Sequence, residues 1–506
     1  MDMSVTPNGS IKRVLLEMRP ALEKHAGIPQ QTRLLFRGLS LLEGWSVEGL
    51  IQSGSRALGR GLPPNGGGRF GPLPKHRQID RLARVVIMLE QGFFRSHLSV
   101  PSLALRRLLG GAEDLMRFES HHFRDFIWRR LFSKTLPATD FDLVTAADFR
   151  IARAPWTAMH VHALISRYLG YALFPRLDTS DFDVMISETP YPAIVSKRTT
   201  LVVRYHDAIP LLMPHTIAKR RHHQGFHYRA LRKNVESGAW FACVSDATRK
   251  DLLSIFPQAE PRSVTIHNMI SHDYFYEESS STRVREIVRT RLNPRIAQAH
   301  LDPTLKARLF DEKTLGPAPE YLLMVSTIEP RKNHLALLSA WERLRTDDFA
   351  GLKLLVVGSL GWHQRSIIQK FVPWLERGEA FLLEDVPSPE LRLLYKHARA
   401  TICPSFAEGF DLSGVEAMKS GGVVVASNIP VHQEIYADGA EYFNPYSVED
   451  LVQAIRNVID PAQGVRREEL IRSGAAVARQ YVCEAILPKW RDLLASRLPT
   501  PVRRHT

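Results

Sequence analysis

Two carboxylates, a cation pair and one histidine are the residues whose types and spacing suggest chemistry. Glu408 and Glu416, with seven residues between them, lie in Ile402–Gly422, ICPSFAEGFDLSGVEAMKSGG. An apolar run ending at Pro404 reads as a buried strand. A turn around Gly409 follows, then a helix from near Ser413 that Gly421-Gly422 ends. A strand, a glycine-bearing turn and a helix N-terminus in succession suit an anion, because unpaired backbone N–H groups and the helix dipole point at it together. Glu408 has no capping role, which leaves a ligand contact as its use. Ser413-x-x-Glu416 also satisfies a capping box, so Glu416 is open between capping the helix and meeting a ligand.

Arg331 and Lys332 stand in TIEPRKN, between an expected strand, Tyr321–Ser326, and a helix over His334–Leu344. An Arg-Lys pair is commonly solvated loop charge. Here the alternative is to stabilise negative charge that builds up on a departing diphosphate. His206 follows the buried run LVVRY, at the carboxyl end of an expected parallel strand. α/β proteins assemble their sites at that end, although a lone histidine is more often structural.

The pattern E-G-F-x-L-x-x-x-E-A-M-x-x-G, Glu408 to Gly421, resembles the signature of the retaining glycosyltransferases of family 4, which have the GT-B fold. The resemblance implies that Glu408 contacts donor-sugar hydroxyls and Glu416 holds the ribose. The main-chain N–H groups of Gly409, Phe410 and Asp411 would line the sugar and phosphate pocket. Glu329–Asn333, EPRKN, is similar to a motif of mannosyltransferases in that family, in which the lysine, here Lys332, binds the diphosphate. Arg331 would stand in for an arginine that relatives carry directly after the strand, where this chain has Ser326-Thr327. By the same resemblance His206 lies near the reacting sugar, Gly27 in the loop after the first strand, and Val386 against the nucleotide base. His206, Glu408 and Lys332 are thereby the catalytic set. Retention with no evident carboxylate nucleophile on the N-terminal side implies same-face attack, with the departing phosphate as base. No metal or cofactor is implied beyond the nucleotide sugar. The commoner family form is EGFGLP; Asp411 and Ser413 replace its Gly and Pro, which leaves the donor sugar open. GDP-mannose is favoured, with UDP- or dTDP-hexoses and deoxyhexoses as alternatives.

Positioning these residues requires two doubly wound α/β halves facing a cleft. Strands are expected at 13–18, 45–51, 182–187, 201–205, 240–245 and 263–268, then at 321–326, 354–358, 380–383, 401–404 and 423–427. This places an acceptor-side domain at 1–315, with a loop and a basic helical insertion at 53–135 and a connection at 277–315. A nucleotide-sugar domain follows at 316–483, and a helix at 484–506 crosses back. The length of 506 residues suits two cores.

A hydrophobic content of 44% and a charged content of 24% fit a soluble protein, and no apolar run is long enough to span a membrane. No secretion signal opens the chain, and the three cysteines lack disulfide or metal spacing, so a cytoplasmic setting is expected. The formal charge of +14 raises the question of nucleic acid. Dispersed arginines with no recognised motif argue against it. An anionic membrane surface, which attracts basic residues at about 1 kcal/mol each, is the preferred explanation, with a glycan or lipid-linked acceptor. Two carboxylates also suit a glycosidase, but a hydrolase has no use for the cation pair.

Overall fold

The structure is a computed structural model describing residues 11–22, 27–59, 61–64, 67–68, 71–91, 100–166, 173–217, 220–293 and 319–497. Parts of the spans read as insertion (53–135), connection (277–315) and final helix (484–506) lie outside the described residues.

Short aliphatic runs bounded by turn formers give two parallel sheets. The first contains β1 (Lys12–Glu17), β2 (Trp45–Ile51), β3 (Met116–Phe118), β4 (Phe149–Ile151), β5 (Val184–Ser187), β6 (Thr200–Tyr205), β7 (Trp240–Cys243) and β8 (Ser263–Thr265). Their order is β8-β7-β6-β5-β1-β2-β4-β3, parallel throughout except for the β3–β4 edge pair. The second contains β9 (Tyr321–Val325), β10 (Lys353–Val357), β11 (Ala380–Leu383), β12 (Ala400–Cys403), β13 (Val424–Ser427) and β14 (Ala440–Phe443), in the order β11-β10-β9-β12-β13-β14 and wholly parallel. Central strands such as β5, β12 and β13 are buried on both faces, which is why they read as unbroken apolar runs and not as alternation. In each sheet the winding reverses beside the first strand, between β1 and β5 and between β9 and β12. A crevice opens at the strands' carboxyl ends at such a point.

Helices around the site include α1 (Ile28–Ser40), α2 (Asp246–Ile255), α3 (His334–Asp347), α4 (Leu412–Lys419), α5 (Pro430–Tyr436) and α6 (Cys483–Asp492). α1 buries Leu34, Leu35, Phe36 and Leu39, and Phe36 stacks on Phe149 of β4 with ring centroids 5.7 Å apart. α6 lies on the N-terminal domain, where its buried Trp490 sits under the guanidinium of Arg204. Just before α6, Tyr481 accepts a backbone hydrogen bond from Ile270.

Within the Arg-rich span at 53–135, Lys75–Gln91 is an amphipathic helix that turns Leu82, Val85 and Leu89 inward. Met116–Phe118 is the edge strand of the main sheet, and Ile127, Leu131 and Phe132 are core. Arg33 of α1 reaches this part fully buried, donating to the carbonyls of Leu131 and Ala21 and to the Thr135 hydroxyl. Burial lowers its pKa to about 10. Among the described residues no helix is long and apolar enough to cross a membrane.

Candidate active site

The carboxyl ends of β1, β5 and β6 face those of β9, β10 and β12 across a cavity of about 630 Å³. Gly27, His206, Arg331, Lys332, Val386, Glu408, Gly409, Phe410, Asp411 and Glu416 all line it. Residues far apart in the sequence therefore share one space.

The cation pair is placed by a single turn of 3-10 helix, Pro330–Lys332, after which Asn333 adopts a left-handed conformation (φ 59°) and starts α3. Lys332 Nζ lies 2.5 Å from Glu408 Oε1 and Arg331 Nη1 lies 2.9 Å from Oε2. Arg331 also holds Glu329 at 2.8 Å. Burial alone would raise the pKa of Glu408, but the charges of Arg331 and Lys332 prevail and hold its carboxyl below the usual range. Burial opposes the Arg331 charge too, and Glu408 with Glu329 overcomes it.

Gly409 carries the turn into the opposing domain. A β-carbon there would lie 1.8 Å from the His206 carbonyl oxygen, so no other residue fits. Its own carbonyl accepts from Ser245 Oγ at 2.8 Å and Thr248 Oγ1 at 3.3 Å. Ser245 also caps α2, accepting from Thr248 N. Phe410 is buried between His267 and Tyr481.

Asp411 takes the left-handed conformation (φ 60°) before α4, one that aspartate tolerates better than most residues. Ser413 Oγ donates to its Oδ1 at 2.7 Å, and His432 Nε2 lies 3.2 Å from Oδ2. Burial would raise its pKa, but Lys332, His432 and Ser413 hold it well below the ordinary value.

Glu416 does not cap α4, so the capping box does not form. The reason is that its side chain turns into the cavity. Gln30 Nε2 of α1 donates to Oε1 at 2.8 Å and the Tyr395 hydroxyl to Oε2 at 3.1 Å. Burial pushes its pKa up to about 7 against these bonds and that of Tyr274. Val386 follows β11 on the same side of the cavity as Ser388 and Leu391. Gly27, with φ 41°, begins α1.

On the N-terminal side, His206 Nε2 meets Glu188 Oε2 at 3.1 Å. Glu188 is fully buried, and its backbone N–H donates to Glu17, which also holds Arg19. Asp207 lines the cavity and accepts from Ile209 N. Asp207 is on the wall, and Glu188 stands behind the His206 ring. Gln30, Tyr274, Glu188 and His432 were not singled out in the sequence, because no motif marks them and only the folded chain brings them to the site.

Residues 306–475 match the family described as glycosyl transferases group 1. O-antigen chain mannosyltransferase B of Escherichia coli is 27% identical over 283 residues, covering 56% of this chain and 67% of that protein. Serotype-specific mannosyltransferase WbdA of Escherichia coli is 34% identical over 146 residues, covering 28% of this chain and only 18% of WbdA. The solved sucrose-phosphate synthase of Thermosynechococcus elongatus superposes with a TM-score of 0.57 at 14% identity, over 96% of this chain and 100% of the other. At that identity the likeness is one of fold, and the fold is GT-B.

Proposed function

We propose that this protein is a retaining, family 4 glycosyltransferase. It moves a hexose, by preference mannose from GDP-mannose, onto a glycan or lipid-linked glycan acceptor in surface polysaccharide synthesis. The observation that carries this reading is the Arg331–Glu408–Lys332 cluster, set beside the N-terminus of α4 and opposite His206 in one cavity. Two fixed cations next to free helix N–H groups suit a diphosphate, and a carboxylate between them suits the attached sugar's hydroxyls. The mannosyltransferase relatives support the choice of donor.

In the proposed reaction the nucleoside diphosphate lies on Lys332, Arg331 and the main-chain N–H groups near Gly409, Phe410 and Asp411. Its ribose hydroxyls donate to Glu416, and its base rests by Val386. Glu408 and His206 orient the sugar. The acceptor hydroxyl attacks the anomeric carbon from the face the diphosphate leaves. Its proton passes to the departing phosphate oxygen as the C–O bond to phosphate breaks. Countercharge comes from Arg331 and Lys332, and no metal ion or further cofactor is part of the proposal. The acceptor would enter past Asp207 and Trp362. The basic N-terminal domain would rest on an anionic cytoplasmic membrane face, and nucleic acid is not a proposed partner.

The test is a melting-shift screen across GDP-, UDP- and dTDP-sugars, since a ligand of the folded state must raise its stability. Transfer is then assayed with and without EDTA. GDP-mannose should give the largest shift and EDTA-resistant transfer. A larger shift with a UDP- or dTDP-sugar would replace the donor, and no shift with any nucleotide sugar would remove the assignment.

A further inference from the structure

Asp411 presents a difficulty that the donor site has to solve. A carboxylate at the N-terminus of α4, on the wall of the cavity, occupies the place where a bound anion would benefit most from the helix dipole. An uncompensated negative charge there would repel a diphosphate.

The hydrogen bonds around His432 supply a compensation. The ring is fully buried and packs on Tyr436, with centroids 4.9 Å apart. His432 Nδ1 lies 3.0 Å from the Ser427 carbonyl oxygen, which can only accept. It also lies 3.0 Å from Ser427 Oγ, whose proton is committed to the Ser405 carbonyl at 2.6 Å. Nδ1 therefore carries a proton. On the other side of the ring, Nε2 faces Asp411 Oδ2 at 3.2 Å, and Oδ1 of the same carboxylate already accepts from Ser413 Oγ. A neutral ring with its proton on Nδ1 would set a lone pair against a carboxylate. A second proton must lie between them, and Lys332 nearby favours leaving Asp411 ionised. Both ring nitrogens of His432 thus face oxygen acceptors, Nδ1 the Ser427 carbonyl and Nε2 the Asp411 carboxylate.

We infer that His432 is a positioning residue of the donor pocket. Its buried positive charge neutralises and aims the Asp411 carboxylate, so that the N-terminus of α4 stays receptive to the donor diphosphate. The inference rests on the donor reading proposed above. It adds a second layer to that site: Lys332 and Arg331 would meet the diphosphate directly, and His432 acts only through Asp411.

This predicts a compensation pattern that plain structural support does not produce. His432→Gln keeps a hydrogen-bond donor toward Asp411 but removes the charge. Asp411→Asn removes the charge it was balancing, and asparagine tolerates the left-handed backbone at that position. The experiment measures GDP binding by titration calorimetry for the wild type, His432→Gln, Asp411→Asn and the double variant. UDP is run in parallel, and each variant's unliganded thermal unfolding is recorded. His432→Gln should weaken nucleoside diphosphate binding at least tenfold. In the Asp411→Asn background, where no carboxylate is left to balance, the same His432→Gln change should cost less than threefold. The inference is overturned if His432→Gln binds as tightly as the wild type, or if the change costs as much in the Asp411→Asn background as in the wild type. Lower unfolding temperatures with unchanged binding would also overturn it, because His432 would then be ordinary core. Binding of neither diphosphate to the wild-type protein would instead remove the donor reading, and this inference with it.

Discussion

The α-carbon of Gly409, in the C-terminal domain, packs directly on the carbonyl of His206, in the N-terminal domain, leaving no room for a side chain. The contact joins the two halves of the proposed site. It fixes the loop bearing Glu408 relative to the histidine across the cleft, while Ser245 and Thr248 hold the Gly409 carbonyl from the other side.

Gly409→Ala should therefore push the domains apart at the point of chemistry. Displacements near 1 Å cost about 100-fold in rate, so transfer should fall by roughly that factor while nucleoside diphosphate still binds the C-terminal half. Steady-state kinetics beside diphosphate titration checks this, and equal loss of both would contradict it.

Glu408→Gln and Lys332→Ala should each lower kcat/KM by about 10² to 10³, the range for removing a fixed charge from a transition-state site. They should differ in stability. Lys332→Ala leaves Glu408 paired with Arg331, whereas Glu408→Gln leaves two buried cations facing each other. The second should cost about 3 kcal/mol and the first clearly less. Chemical denaturation separates the two, and wild-type transfer in both variants would end the functional assignment.

Glu416 links stability to pH and, on the proposed donor reading, links nucleotide binding to it as well. Its folded-state pKa of about 7 lies above the ordinary 4.5, so the folded protein binds the extra proton between those values. Its contribution is fully present below pH 4.5 and is lost as pH rises through about 7, a swing of about 3 kcal/mol. Glu416→Gln should remove that slope, seen as the difference between the two denaturation profiles. Only the ionised carboxylate accepts well from ribose hydroxyls, so donor KM should fall from pH 6 to pH 8 in the wild type and stay flat in the variant.

Glu434 of α5 reaches across the domain boundary to the N-terminus of α2. It accepts from the backbone N–H groups of Asp246 at 2.6 Å and Ala247 at 2.9 Å, and lies 3.0 Å from His267 Nε2. Glu434→Ala removes a helix-capping carboxylate worth about 1–2 kcal/mol. It should expand the particle in small-angle scattering and slow transfer while leaving each domain folded. An unchanged scattering profile with full activity would show that the contact has no role in holding the cleft.

Much of this protein was legible in its sequence, because two kinds of signal are local. Buried parallel strands read as short aliphatic runs, so Trp45–Ile51 and Ala380–Leu383 were placed residue for residue and most others to within a few. The turns proposed to carry chemistry are local as well. EPRKN and EGF are each set by a few neighbouring backbone angles, and all ten residues singled out lie on one cavity. The strands Met116–Phe118 and Phe149–Ile151, MRF and FRI, were missed because a central arginine keeps each from reading as an aliphatic run. What the tertiary structure alone decided is which side chain answers which. Glu416 turned from its own helix cap to Gln30, 386 positions away. Glu188 came to lie behind His206, and His432 beneath Asp411. A buried charge takes whatever partner packing brings within reach of its desolvated atoms, and spacing along the chain holds no record of that choice.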